Sequence, residues 1–413
     1  MKRHVLTLCT FALVFGLFSS TFAQDAKADD KKVDNRIWSM QYWKKAAVDG
    51  LVQVAPSAPV APARYTGSEL SALTVAIDDG PDVLIIGGTN TTQSETSVFV
   101  NPLDPNKVLN SNNSTDNPVT QVFGASGFTS SDGGATWTGS VQGTGGPNGG
   151  DPAVAVNLQG RFHNGYIADN GGNGAAWSSD EGQTWVDVQV APNPGQLADK
   201  NHLWVDNGPT SQYEGHVYAA YTDFGGGNDR NVVIHTSTDG GLTWSAGQNI
   251  SSSLPGFHQG VHIQTNSSGV VFAFYTVYLT GGVQDEPAIG MTRSFDGGTT
   301  WDTPQIIFQD TRGIRSSGTS KNMRVNSFPV SAIDISGGAN DGNIYIVWSN
   351  IGEPPSNAGP DINVLMRKST DGGDTWSSHV RVNQDDPADG NENYLPWITC
   401  DPETGALSVV FYS

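Results

Sequence analysis

Between residues 200 and 412 the apolar positions fall into short runs that glycine or proline introduces, and within them aromatic and β-branched residues alternate with small ones. That is the pattern of strands, not of amphipathic helices. The clearest runs are Gly215-His216-Val217-Tyr218-Ala219-Ala220-Tyr221, Gly269 to Tyr275, Gly342 to Trp348 and Gly405 to Tyr412. Each follows a shorter apolar strand, respectively Leu203 to Asp206, Gly260 to Ile263, Pro329 to Asp334 and Pro396 to Asp401.

An eight-residue pattern, S-x-D-x-G-x-T-W, punctuates these strands five times without a mismatch at its fixed positions. Its aspartates are Asp132, Asp180, Asp239, Asp296 and Asp371, separated by 48, 59, 57 and 75 residues. Spacing of that order suits one four-stranded sheet per repeat with loops of varying length, so the chain is expected to be an all-β propeller. From the glycine of the second strand to the box aspartate the distance is 24 residues for Gly215, 27 for Gly269 and 29 for Gly342. A box for Gly405 would fall near residues 429 to 434, past Ser413, so a sixth blade starting at about Asn393 is expected to stop after two strands. Either the region around Leu70 to Phe99 supplies the missing strands or the sequence is a piece of a longer protein, and the abrupt end in a strand favours the latter.

The N-terminus has a different character. Met1-Lys2-Arg3-His4, the apolar run Val5 to Phe18 and the small residues up to Ala23-Gln24 form a secretory signal over residues 1–24. The apolar run is shorter than the ~20 residues that span a bilayer, which argues against a membrane anchor. Residues 25–65 are rich in Ala and Pro and read as a linker or arm. Within it, the spacing of Trp38, Tyr42, Trp43, Ala46, Ala47 and Leu51 fits either a short helix docked on the propeller or a mobile arm. The propeller is expected to occupy residues 66–413.

Composition adds 50 glycines and only 15% charged residues, in keeping with many short strands. Of the two cysteines, Cys9 leaves with the signal, so Cys400 has no intrachain disulfide partner. The mature chain sets 19 basic residues against 41 acidic ones, a charge near −22 that repels nucleic acid and anionic membranes. No membrane insertion is expected. The same field opposes capture of an anionic sugar unless arginines cluster locally.

In the repeated segment, glycine permits a tight turn, and the Asp and Ser oxygens accept backbone N–H groups that the turn leaves unpaired. The aspartates are therefore read as structural, and Trp137, Trp185, Trp244, Trp301 and Trp376 as anchors between sheets. These segments resemble the Asp-box, or bacterial neuraminidase repeat, and the chain from about residue 66 is similar to the sialidase-like superfamily of six-bladed propellers. That resemblance implies a fold more than an activity, since Asp-boxes also occur in propellers that bind proteins or plant polysaccharides. Sialidases of the family carry a Phe/Tyr-Arg-Ile-Pro motif in the first blade, an arginine triad, a Tyr/Glu nucleophile and an Asp acid/base. Here the pair Arg36-Ile37 lies in the arm and lacks the proline, and the first-blade strand Thr96 to Pro102 contains no arginine. Ten arginines remain after signal removal, and Arg293 and Arg367 precede boxes, away from the family's ligand face. Arg161, Arg312, Arg315 and Arg324 are left as candidate clamps.

Propellers bind ligands where the innermost strands begin. The residues there are polar: Asp151; Asp199-Lys200-Asn201-His202; His258-Gln259; Asn326-Ser327; Asn393-Tyr394. Asp199, His202 and His258 are acid/base candidates without metal-ligand spacing, so neither metal nor cofactor is expected. Tyr394 with Glu392 is the nearest imitation of a Tyr/Glu nucleophile. The reading that follows is a secreted bacterial propeller, extracellular, surface-bound or periplasmic, that binds a glycan or an extracellular protein without catalysis. A diverged sialidase-type glycosidase is the alternative.

Overall fold

The computed structural model describes residues 33–37, 39–53, 83–86, 91–116, 121–142, 146–280, 285–315, 318–320, 325–386 and 390–413. The expected signal segment and about half of the expected linker lie outside them.

Five antiparallel sheets follow one another along the chain as the blades of a ring. Blade 1 comprises β1 (Thr91–Val100), β2 (Val108–Asp116), β3 (Val122–Ala125) with β4 (Gly127–Ser130), and β5 (Thr138–Ser140). The next has β6 (Asn148–Val156), β7 (Phe162–Ala168), β8 (Asn173–Ser178) and β9 (Val186–Ala191). Blade 3 is β10 (Leu197–Val205), β11 (Val217–Phe224), β12 (Val232–Ser237) and β13 (Gln248–Asn249). Blade 4 is β14 (Phe257–Thr265), β15 (Val271–Tyr278), β16 (Ala288–Ser294) and β17 (Gln305–Phe308). Blade 5 is β18 (Val330–Ile333), β19 (Ile344–Ile351), β20 (Ile362–Ser369) and β21 (Val380–Arg381). A two-stranded sheet, β22 (Tyr394–Cys400) with β23 (Leu407–Tyr412), comes last, at the expected start of a sixth repeat. Strand β1 is the inner strand of blade 1, so the part of the Leu70 to Phe99 region from Thr91 onward does not complete that last sheet; residues 70–82 and 87–90 lie outside the described residues.

Successive inner strands pack side by side, β6 on β10, β10 on β14, β14 on β18 and β18 on β22. The core lies between the sheets. Tyr218, Ile234, Ile263 and Tyr275 fill the seam of blades 3 and 4, and Phe274, Phe308, Ile346 and Trp348 that of blades 4 and 5.

Each S-x-D-x-G-x-T-W segment closes the turn between the third and fourth strands of its blade with one set of bonds. In the first, Ser130 Oγ donates to Asp132 Oδ1 (2.8 Å) and accepts from Gly134 N–H (2.8 Å). Asp132 also accepts from the N–H and hydroxyl of Thr136 (2.8 and 2.6 Å). The same bonds recur around Asp180, Asp239, Asp296 and Asp371. Trp185, Trp244, Trp301 and Trp376 pack as expected against the clusters shared with the preceding blade.

Among the described residues one helix, α1 (Met40–Val48), bears out the docked reading of the arm: Gln41 donates to Asp169 O and Tyr42 to Gln196, while Trp43 and Ala46 are buried within the arm's own cluster. No described helix is long and apolar enough to cross a membrane.

Two predictions follow from this packing. Trp348 is 1% exposed in the seam of blades 4 and 5, so Trp348→Ala is expected to lower the unfolding free energy by about 3–5 kcal/mol, read by chemical denaturation. The Thr375 hydroxyl, then its N–H and the Ser369 hydroxyl, hold the Asp371 carboxyl down at about 2. A carboxylate with a depressed folded value stabilises the fold above 3.8, and that contribution disappears as pH falls through about 2. The stability gap between wild type and Asp371→Asn therefore closes over that window; a gap unchanged from pH 5 to pH 2 would contradict the role given to the carboxylate.

Candidate functional site at the inner-strand mouth

Five of the six inner strands carry the same irregularity near their first residues. Two residues face one on the partner strand between Ser94 and Ser97, Gly150 and Ala153, Asp199 and His202, Gln259 and His262, and Tyr394 and Trp397, and the first of the two is the residue after Ser94, Gly150, Asp199, Gln259 and Tyr394 respectively. This first residue of each bulge has positive φ: Glu95 (53°), Asp151 (56°), Lys200 (50°), Gly260 (71°) and Leu395 (51°). Bulges bend a strand and re-aim its side chains. Repeated around a ring, they bring this set of side chains together at one end of the central opening. Gly260 fills its place for a steric reason as well, since a Cβ there would lie 2.2 Å from the Phe328 ring.

Three carboxyl groups meet at this mouth. Asp151 is 8% exposed, and its N–H donates to Asn113 Oδ1 (2.6 Å) while Asn113 Nδ2 donates to Glu95 (3.0 Å). Burial first, then the charges of Glu95 and Asp199, push the Asp151 carboxyl well above the usual range; Lys200 offsets this only in part. Asn113 thus ties the Asp151 backbone to the Glu95 carboxylate, and the nearby Glu95 disfavours the charged form of Asp151. Asp199, 2% exposed, accepts from Gln259 Nε2 at 2.7 Å. Gln259 Oε1 in turn accepts from Arg315 Nη1 (2.5 Å), which also donates to the Tyr278 hydroxyl (2.7 Å).

Deeper along the same inner strands, the His202 and His262 rings lie 4.3 Å apart, and Trp397 meets His262 edge-on at 5.3 Å. His202 Nδ1 accepts from Ile263 N–H (3.3 Å) and His262 Nδ1 from Ser331 N–H (3.3 Å), so both imidazoles carry their proton on Nε2. Burial, reinforced by Lys200, holds His262 down at about 3 and His202 well below its ordinary value. Both are neutral at physiological pH. Trp397 and Leu395 remain 41% and 37% exposed.

Of the residues singled out in the sequence, Asp151, Asp199 and His202 come together here. The others do not. Arg161 lies at the opposite end of the ring, over the Trp177 ring (4.6 Å) and bonded to Gly240 O (2.8 Å), beside a cleft of about 390 Å³ lined by Gln159, Glu214 and Asp239; a connection after an inner strand necessarily emerges away from the mouth. His258 is fully buried, its ring bonded to Ser251 Oγ and Pro255 O, so it fastens a loop instead of meeting a ligand. Tyr394, 3% exposed, packs with Ile314, Val325, Ile351 and Ile362, while Glu392 accepts from Ser320 N–H. Asn326 closes a local turn with Phe328 N–H (3.3 Å). Arg324 lies outside the described residues. Arg312 is bonded to Asn357 O and paired with Asp285, and Arg315 is engaged as above. The five box aspartates are all bound within their own turns.

Sequence reasoning missed Glu95, and it missed the pair Tyr278–Glu286, whose oxygens are 3.4 Å apart with Arg315 on the tyrosine. That pair has the make-up of a sialidase nucleophile, yet Tyr278 is fully buried against Phe257. No signal marks these residues in the sequence, because bulges and long loops bring them together. Among the described residues no three His, Cys, Asp or Glu side chains form a metal-binding group.

No family model matches the chain. A stretch of 123 residues is 32% identical to the xyloglucanase Xgh74A of Acetivibrio thermocellus, spanning 27% of this chain and 14% of that enzyme. The fold is similar to that of the NanB sialidase of Streptococcus pneumoniae, at 12% identity and a TM-score of 0.50 over 80% of this chain and 67% of that one. A protein of unknown function from Dyadobacter fermentans aligns at 16% identity and a TM-score of 0.46, over 79% and 95% of the two chains.

The raised Asp151 carboxyl makes a prediction with a sign. A carboxyl whose folded value is raised keeps its proton where the unfolded chain releases it, so stability falls as pH rises above 3.8 toward the raised value. Asp151→Asn removes that loss. Its melting temperature is expected to exceed that of the wild type by about a few degrees at pH 7 and to converge with it near pH 4; a lower melting temperature at pH 7 would contradict the assignment.

Proposed function

We propose that this chain is an exported Asp-box propeller that binds an uncharged glycan at the inner-strand mouth. The chemistry of the mouth carries this reading: among the described residues Glu95, Asp151 and Asp199 gather around Lys200, and deeper along the inner strands Trp397 lies exposed against His262. Carboxyl groups and amides serve sugar hydroxyls, and an indole serves the apolar face of a pyranose. An anionic sugar needs bidentate guanidinium groups, and Arg315, the described arginine nearest Asp199, is bound to Gln259 and Tyr278. The partial match to an enzyme named for xyloglucan, a neutral polysaccharide, is in line with that preference. Export rests on the leader.

Glycoside hydrolysis is the second reading, favoured by one observation. A proton-bearing Asp151 beside the acceptor Asp199 is the kind of acid and carboxylate pair that cleaves glycosidic bonds.

Calorimetric titration of the mature protein with xyloglucan oligosaccharides and with sialyllactose, while reducing ends are followed, tests both readings. Binding of the neutral sugar, weakened about tenfold by Trp397→Ala (about 1.4 kcal/mol), is expected. Preferential binding of the sialoside would overturn the proposal; release of reducing ends that Asp151→Asn abolishes would replace it with the second reading.

A further inference from the structure

We infer that the N-terminal arm is a working part of the mouth: through Arg315 and Gln259, two positioning residues, it keeps Asp199 a hydrogen-bond acceptor beside Asp151. The inference deepens the proposed function and rests on the mouth being the binding site.

The arm is anchored at several points around the mouth. Ile37 is fully buried among Ile167, Leu197 and Phe224, at the mouth ends of β7, β10 and β11. The Arg36 guanidinium lies over Phe224 (5.1 Å) and bonds Asp229 at 3.0 Å; Tyr42 donates to Gln196 (3.1 Å). These contacts fix the Arg36 carbonyl, which accepts from Arg315 Nη2 at 3.1 Å.

From there the direction of every bond is determined. A guanidinium has donors only, so Gln259 must turn its oxygen toward Arg315 and its NH₂ toward Asp199. Reversing the amide would set donor against donor at one end and acceptor against acceptor at the other. The Asp199 oxygen that faces Gln259 is therefore unprotonated. Arg315, Gln259 and Asp199 are 6%, 2% and 2% exposed, so water does not readily replace a missing bond. A sugar hydroxyl entering the mouth meets a donor on Asp151 and an acceptor on Asp199, and the arm keeps the two roles apart.

The test requires no ligand, so it separates this inference from the glycan-binding proposal. The mature chain is labelled with 13Cγ-aspartate, the Asp199 resonance is assigned by its loss in Asp199→Asn, and its pH titration is followed in Gln259→Met, Ile37→Ala and Val48→Ala. Removing a hydrogen bond to the charged form disfavours that form, so the Asp199 curve is expected to move to higher pH in Gln259→Met and Ile37→Ala. It is expected to overlay the wild type in Val48→Ala, where the side chain is 80% exposed at the far end of the helix. Near-UV circular dichroism verifies the propeller, and Ile37→Val replaces Ile37→Ala if the latter loses that signal. An unmoved curve in Gln259→Met overturns the relay; one moved by Gln259→Met and unmoved by both Ile37 variants overturns the part given to the arm.

Discussion

A tryptophan pressed into the seam of the preceding blade is the contact on which the ring depends. Trp376, closing blade 5, meets Phe274 and Phe308 of blade 4 edge-on at 6.3 and 5.1 Å. An indole buries on the order of 150–250 Å², but only if the turn that carries it is rigid. The serine and aspartate provide that rigidity: between them they bond N–H groups and the threonine hydroxyl of the turn. The carboxylate performs a structural task at the rim, and its full hydrogen-bond complement leaves nothing for chemistry.

At the other end of the blades the structure spends stability where the rim gains it. Glu95, Asp151, Lys200 and Leu395 hold a left-handed conformation that costs about 1–3 kcal/mol each outside glycine. The position is the same in each strand, and three of the four side chains are ionisable. A ring of inner strands tolerates this because the seams on either side over-determine the backbone. The ends of the blades thus divide the work: staples at the rim, strained and adaptable side chains at the mouth.

That division decides what was legible in the sequence. The boxes are local and mark their own blades, so the repeat architecture, the tryptophan seams and the two-strand end at Asn393 were readable from spacing. The mouth is assembled from six strands, and its members are selected by bulges. A bulge adds one residue without a compositional mark, as the different residues Glu95, Asp151, Lys200, Gly260 and Leu395 show. Asp151 and Asp199 were found because they stand just before apolar strands. His258 and Tyr394 occupy the same kind of position and turn the other way, into the loop and the apolar cluster. Glu95 was passed over because its strand has no box before it to set the count.

The allocation of arginine links the two ends. With 41 acidic residues in the chain, guanidinium groups are scarce, and several are committed to the box end. Arg161 and Arg293 donate to the carbonyls of Gly240 and Gly372, the glycines that directly follow the aspartate in boxes 3 and 5, at 2.8 Å each. Each stitches its blade to the next one's turn, neutralising part of the carboxylate ring there. Arg367 is held by Asp310 at 2.6 Å and stacks on Phe308. At the mouth, Arg36 is held by Asp34 and Asp229, and the donors of Arg315 serve the arm, Tyr278 and Gln259. The acidity of the mouth is thus a consequence of how the ring is held together: cations that stitch blades cannot also clamp a carboxylate, which is in keeping with the uncharged ligand proposed above.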